Sequence, residues 1–457
     1  MSFDNVWAFV LTLGVLVVVH EYGHYRVAVA CGVKVLRFSV GFGRVLWRRQ
    51  AHPDATEFVV CLLPLGGYVR MLDEREEAVP SSQLSQAFNR KPLWQRAAIV
   101  FAGPLANLLL AVLLYAGAHW IGLDEPKALV GPPAAASAAE RAGLRAGDWV
   151  RAWSHGGDEW RDVASLNDLR WQVVQAALHR QSVLLQVTDR DGRDSRTLTL
   201  DLSQIETREV DAAFAAKVGL GAPWREPVLG EVKAGGPAER AGLRRGDRVL
   251  LIDGAAVTDA QHVVDAIRAS VREGRAKPVS LRVERAGQML EIEVTPRIVQ
   301  EGGKTFGRID AVPGQAPVMV KVHHGVFEGL WKGVERTAEV SMMTLRMLGR
   351  MLIGEASLKN LSGPLTIADF AGQSVKLGVA DFLGFLALVS VSLGVLNLLP
   401  LPMLDGGHLM YYIFEGVTGR PVSDAWLARL QRGGIVVLLM MMSVALFNDV
   451  ARLLGLH

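Results

Sequence analysis

Cysteine is almost missing from this sequence: Cys31 and Cys61 are the only two in 457 residues. Both lie in or just after the first apolar segment, far from the long central region, so neither a disulfide framework nor a cysteine-based zinc knuckle organises that region, and both are expected to be ordinary reduced thiols. Charge of one sign is scarce as well. The formal net charge is only +3, and no long basic run or basic-aromatic repeat occurs, so a nucleic-acid partner has no support. The length itself excludes one ordinary domain and suggests roughly three.

Apolar residues, by contrast, are abundant but unevenly placed. Half the residues are hydrophobic while 21% are charged, which is the pattern of a membrane protein carrying soluble domains. Four segments approach the ~20 apolar residues that a spanning helix needs: about Val6 to Val33, Ala97 to Trp120, Phe382 to Leu399, and Gly433 to Phe447 with its flanks. The opening MSFDN has no basic n-region and no small-residue cleavage pattern follows the apolar stretch, so the first segment is expected to be retained. Lys34, Arg37, Arg44, Arg48, Arg49, Arg70, Arg90, Lys91 and Arg96 crowd the loop after it. The positive-inside rule puts that loop in the cytoplasm. The amino terminus, the central region and the carboxyl terminus then lie outside, and the loop from Asp405 to Arg432, with Arg420, Arg429 and Arg432, lies inside.

The central region repeats itself. AAERAGLRAGDWV (138–150) and AERAGLRRGDRVL (238–250) share the core AERAGLR-x-GD about one hundred residues apart, the mark of a duplicated domain. Each copy reads as a short helix ended by glycine, a Gly-Asp turn and a β-rich run. The core resembles the PDZ domain of bacterial proteases. That resemblance implies modules that capture extended peptides by strand addition, although a duplicated spacer would share the same fold. Residues 326–360 mix apolar and basic positions at helical spacing and are expected to lie along the outer membrane surface.

The chemistry sits inside the spans. In VVVHEYGHYRVAV (17–29), His20 and His24 are four residues apart on one helix face, so both imidazoles can reach one metal ion, with Glu21 on the adjoining flank. Charged residues at membrane depth are expensive and mark function. Zinc needs a third protein ligand. The other interrupted span, VLNLLPLPMLDGGH (395–408), offers Asp405 and His408, because Pro400 and Pro402 end the helix and leave extended backbone that must line protein or a wet cavity. Asn397 just upstream can hydrogen-bond a peptide backbone. Asp405 is also a candidate cap for the following helix.

HEYGH, FAGPLANLLLAV (101–112), NLLPLPMLDGGH and the tandem PDZ-like region together resemble the site-2 proteases, intramembrane zinc metalloproteases, over essentially the whole chain. The resemblance implies His20, His24 and Asp405 as Zn2+ ligands, Glu21 as catalytic base, and Asn397, Pro400 and Pro402 in the substrate-contacting stretch. It also implies single-span membrane substrates of the anti-sigma factor type, trimmed first by an outer protease, together with cleaved signal peptides, in the lipid bilayer of a bacterial inner membrane with the active site near the cytoplasmic side.

The expected architecture is a polytopic α-helical membrane protein with four transmembrane helices, a membrane-associated β-region and two inserted PDZ domains. Its expected parts are helix 1 (1–33), the β-region (34–93), helix 2 (94–121), PDZ domains at 122–218 and 219–310, a periplasmic amphipathic region (311–378), helix 3 (379–404), a cytoplasmic loop (405–432) and helix 4 (433–457). One of the strands 35–49 and 56–72 is expected to offer a sheet edge to substrate, unless the hairpin only braces the helices. Two other classes remain at this point: a non-catalytic membrane-anchored PDZ adaptor, and an ion transporter relaying protons through its intramembrane histidines and acids.

Overall fold

The computed structural model describes residues 3–203, 205, 212–272, 274–301, 304–353 and 363–453. They form two compact units, one of residues 1–123 and 323–457, the other Asp124–Val322.

The first unit is built from helices. In order they are α1 (Phe3–Ala30), α2 (Leu93–Ile121), α3 (Val326–Leu352), α4 (Pro364–Leu377), α5 (Val379–Asn397), α6 (Asp405–Thr418) and α7 (Asp424–Leu453). Among the described residues, α1, α2, α5 and α7 are long and apolar enough to cross a membrane. The last of these is longer than its apolar core, because α7 continues through the polar flanks on both sides.

Three contacts organise the bundle. Ala111 and Tyr115 of α2 close a dry cluster with Ala387, Val391 and Val395 of α5, and Val340 of α3 completes it. Helix α3 therefore packs along α2, with its start tied there by Trp120 Nε1–H donating to the Val326 carbonyl at 3.1 Å. The rest of the stretch expected on the outer surface, residues 354–360, lies outside the described residues. Asp449 of α7, buried, caps α4 from outside: it accepts from Gly363 N–H at 3.0 Å and Leu365 N–H at 2.9 Å, satisfying donors that a helix start leaves without partners.

Between α1 and α2 the chain forms two strands, β1 (Val35–Arg49) and β2 (Glu57–Met71). Their pairing is unusual. Residues 35–40 pair on one side with 67–71 and on the other with 57–60, while 45–49 return along the far side of 58–61. Two strands thus make a four-run sheet in the order 45–49, 57–61, 35–40, 67–71. The reversals need backbone that only glycine adopts easily, and Gly41, Gly43 and Gly66 supply it at φ +88°, +86° and +151°. Residues 35–40 are therefore paired on both sides, and the edges of the sheet are the runs 45–49 of β1 and 67–71 of β2.

In the second unit the duplication is visible as two antiparallel sheets of matching strand order. The first joins β3 (Trp149–Ser154), β4 (Arg161–Asp162), β5 (Val183–Thr188) and β6 (Arg196–Leu200) in the order β4-β3-β5-β6. The second joins β7 (Arg248–Ile252), β8 (Ala255–Ala256), β9 (Val279–Arg285) and β10 (Gln288–Val294) in the order β8-β7-β9-β10. One helix packs against each sheet, Leu166–Leu178 capped by Ser165 and Ala260–Ala269 capped by Asp259.

The repeated Gly-Asp has a physical reason. Asp148 and Asp247 turn their carboxylates back to accept from the N–H of Arg145 and Arg244, each at 2.8 Å. Each is paired with an arginine of its own sheet, Arg196 or Arg285. The second repeat does not stop at residue 310: strand Ala311–Pro313 pairs with Leu229–Val232.

Candidate metal centre

Helix α1 carries His20 and His24 one turn apart, which stacks their rings edge to face with centroids 4.8 Å apart and brings the two Nε2 atoms to 3.2 Å. Asp405, the first residue of α6, reaches them across the bundle. Its Oδ2 lies 3.2 Å from His20 Nε2 and 3.5 Å from His24 Nε2. Among the described residues these three form the group of histidine, cysteine or acidic side chains spaced to hold a metal ion.

The donor set fits zinc. A tetrahedral ion with bonds of about 2.0–2.1 Å has ligand-to-ligand edges of about 3.3–3.4 Å, and the three separations in the protein bracket that value. Two neutral imidazoles and one carboxylate are a usual hydrolytic set that leaves a fourth position open.

The approach of Asp405 depends on the two residues after it. After α5 ends at Asn397, the segment through Pro400 and Pro402 folds tightly, with Leu404 N–H donating to the Leu401 carbonyl at 2.9 Å and Gly407 N–H to the Leu404 carbonyl at 3.0 Å. A side chain on Gly406 would overlap the Leu398 and Leu399 carbonyls, and one on Gly407 the Leu401 carbonyl. Only glycines let α6 begin so close to the preceding turn. Asp405 then stands at a helix start, where a carboxylate is favoured.

Helix α2 supplies the support behind the rings. Gly103 lies flat against them; a β-carbon there would overlap His24 Nε2 and come within 2.9 Å of His20 Cε1. His24 Nδ1 lies 2.8 Å from the Ile99 carbonyl oxygen. One turn on, Asn107 places its amide Nδ2 3.3 Å from His20 Nδ1. Pro104, between them, has no N–H for the Val100 carbonyl and loosens the helix ladder at this level.

A cavity of about 1090 Å³ opens from the three donors. Its walls include Glu21, the edge run Gly67–Met71, Arg96, His408, Tyr411, Tyr412 and Glu415. Arg96 and Glu415 close part of the wall with an ion pair at 2.6 Å. Glu21 is half-buried, and Gly67 makes room for it, since a β-carbon on Gly67 would lie 2.9 Å from Glu21 Cγ.

The candidates read from sequence thus separate into three groups. His20, His24 and Asp405 come together, and Glu21 shares their cavity. His408 lines the cavity but stays outside the donor group, turned toward Tyr411 with ring centroids 6.0 Å apart. Asn397, Pro400 and Pro402 are not among the cavity-lining residues; Asn397 is half-buried at the end of α5, Pro400 is exposed, and Pro402 packs on Gly434 of α7. Sequence reasoning passed over Gly103 and Asn107, although a glycine and an amide inside an apolar span were the visible signal.

Spanning helices that carry two histidines of an HExxH turn, a third donor from an interrupted helix and a neighbouring glutamate define a membrane metallopeptidase. Comparison with known proteins agrees. The profile of peptidase family M50 matches residues 8–441. A Ralstonia nicotianae protein whose name carries the words zinc metalloprotease is 41% identical, covering 99% of this chain and 99% of its own. The regulator of sigma-E protease RseP of Escherichia coli is 38% identical over 98% of each chain, and the regulator of sigma E protease of Salmonella typhi is 39% identical over 98% of this chain and 99% of its own. The chain belongs to peptidase family M50, the site-2 proteases, and is a protease.

Proposed function

We propose that the protein is an intramembrane zinc metalloprotease that hydrolyses peptide bonds in or near the transmembrane helix of single-span membrane proteins. The substrates are of the anti-sigma factor type, cut first outside the membrane, and remnant signal peptides, which would make the protein a regulator of a sigma-E type stress response. The observation that carries this reading is the convergence of His20, His24 and Asp405 at separations suited to one zinc ion, beside Glu21 in a cavity. The protein works in a bacterial inner membrane, and the basic loop after α1 supports an active site near its cytoplasmic side.

Each residue then has a task. His20, His24 and Asp405 hold the ion. Zinc, when bound, supplies Lewis acidity toward water and the scissile carbonyl. Glu21 takes the proton of the attacking water and delivers it to the leaving amine.

A substrate helix has its carbonyls hidden in its own ladder and must be held extended. The edge run Gly67–Met71 lines the cavity, and its outer side is unpaired among the described residues, so it suits strand addition. Asn397, Pro400 and Pro402, in the segment that leads into Asp405, are assigned to substrate contact on the resemblance to site-2 proteases alone, since none of them lines the cavity. The unit Asp124–Val322 acts as two PDZ domains on the periplasmic side that filter substrates by their trimmed outer ends. Its repeated sheets and Gly-Asp turns support that assignment.

The test joins metal analysis to cleavage of a model single-span substrate. Wild type should hold one zinc and cut. Glu21→Gln should keep zinc and lose about 10²–10⁴-fold in rate. His20→Ala and Asp405→Ala should lose both. Unchanged function in Glu21→Gln would instead establish a non-catalytic adaptor.

A further inference from the structure

Two histidines sharing one ion through Nε2 must both carry their ring proton on Nδ1, and the group facing Nδ1 decides whether they do. For His24 the choice is fixed. Its Nδ1 faces the Ile99 carbonyl oxygen at 2.8 Å, which accepts and cannot donate, so the proton sits on Nδ1 and Nε2 is bare.

For His20 the choice is open. Its Nδ1 faces the side-chain amide of Asn107 at 3.3 Å, and an amide presents a donor on one end and an acceptor on the other. As placed, the Asn107 NH2 donates to Nδ1. That drives the ring proton to Nε2, where it meets Asp405 Oδ2 at 3.2 Å. With the amide turned over, Oδ1 accepts from Nδ1–H, and Nε2 is bare like that of His24.

Among the described residues nothing holds the amide one way. Asn107 is fully buried, so water does not compete for it, and its Oδ1 has no partner among the described residues. Turning it over moves the unpartnered end from oxygen to nitrogen without breaking a contact elsewhere. The backbone meanwhile is anchored, with Ser390 Oγ–H of α5 donating to the Asn107 carbonyl at 2.8 Å.

We propose that Asn107 is a positioning residue of the metal centre, whose buried amide turns over to set the tautomer of His20: Nε2–H while the ring pairs with Asp405 alone, Nδ1–H when the ring holds the ion. The proposal rests on the reading of His20, His24 and Asp405 as ligands. An asparagine suits the task because it serves both states; aspartate serves only the metal-holding one, and leucine, of similar size, serves neither.

The test is zinc affinity of the purified full-length protein, measured by competition with a chromophoric chelator, with thermal unfolding of the metal-stripped protein recorded alongside. Asn107→Leu should weaken zinc binding about 10–100-fold, and Asn107→Asp should stay within about threefold of wild type or bind tighter. Equal losses in the two variants would assign Asn107 to packing and overturn the proposal, as would wild-type affinity in a folded Asn107→Leu protein. Should Asn107→Asp fail to fold, Asn107→Leu decides alone: weakened zinc with unchanged unfolding supports the role. His20→Ala and Asp405→Ala separate the two levels. If both bind zinc like wild type, the ligand assignment fails; if both lose it while Asn107→Leu does not, only the role of Asn107 fails.

Discussion

Gly103 of α2 and His24 of α1 touch so closely that a single added carbon on the glycine would overlap the ring's Nε2. The helix behind the metal centre is therefore part of its geometry. Gly103→Val should push both imidazoles off their position, since a packed interface has no slack for added carbons, and weaken zinc binding at least about tenfold. Helical content by circular dichroism should hardly change. Full zinc occupancy in this variant would show that the rings are placed by α1 alone.

The edge run of the β-region gives a second expectation. Proline at Val69 removes one backbone donor and stiffens the run that lines the cavity. Cleavage of a single-span substrate should fall about tenfold or more while zinc content stays at the wild-type level, as expected when main-chain hydrogen bonds carry the affinity. Proline at Trp47, on the far edge of the same sheet, should leave cleavage nearly unchanged. Equal effects at the two edges would reduce the sheet to a brace.

The second repeat carries a pH dependence of its own. Burial raises the Asp247 carboxyl, but Arg285, donating through Nε at 2.6 Å and Nη2 at 2.7 Å, and the Arg244 N–H outweigh it, so the group titrates below the ordinary carboxylate range. Because the folded value is lowered, the stabilisation is fully present above the ordinary value of about 3.9 and is lost as pH falls through the lowered folded value. Hydrogen exchange at residues 244–252 should accelerate below about pH 4 in wild type. Asp247→Asn should cost about 1–3 kcal/mol at neutral pH and flatten this acid dependence. Parallel pH curves for the two proteins would contradict the assignment.

What the sequence showed and what it hid follow from the range of each interaction. His20 and His24 were legible because a helix fixes their relation within one turn; two prolines and two glycines interrupting an apolar span marked the stretch that holds Asp405 and His408, and the resemblance to site-2 proteases, rather than the spacing, chose Asp405. The duplication was legible because Asp148 and Asp247 perform one local task, folding a turn back on itself, which demands the same residues twice. Asn107 was hidden because its partner is 87 residues away and nothing local distinguishes an amide that positions a ring from one that binds a neighbouring helix. The doubled sheet of β1 and β2 was hidden for a related reason. Glycines at 41, 43 and 66 announce reversals, but which runs become edges is decided by register. The packing of α3 against α2 was masked by its charges, which reads as surface while Val340 reaches the cluster of α2 and α5.

X-ray absorption at the zinc edge on the purified, zinc-loaded protein tests the central claim most directly. Two imidazole nitrogens and at least one oxygen at about 2.0–2.1 Å, with no sulfur neighbour, are predicted, and Asp405→Ala should lose the metal. A shell containing sulfur, or one without imidazole scattering, would contradict the account.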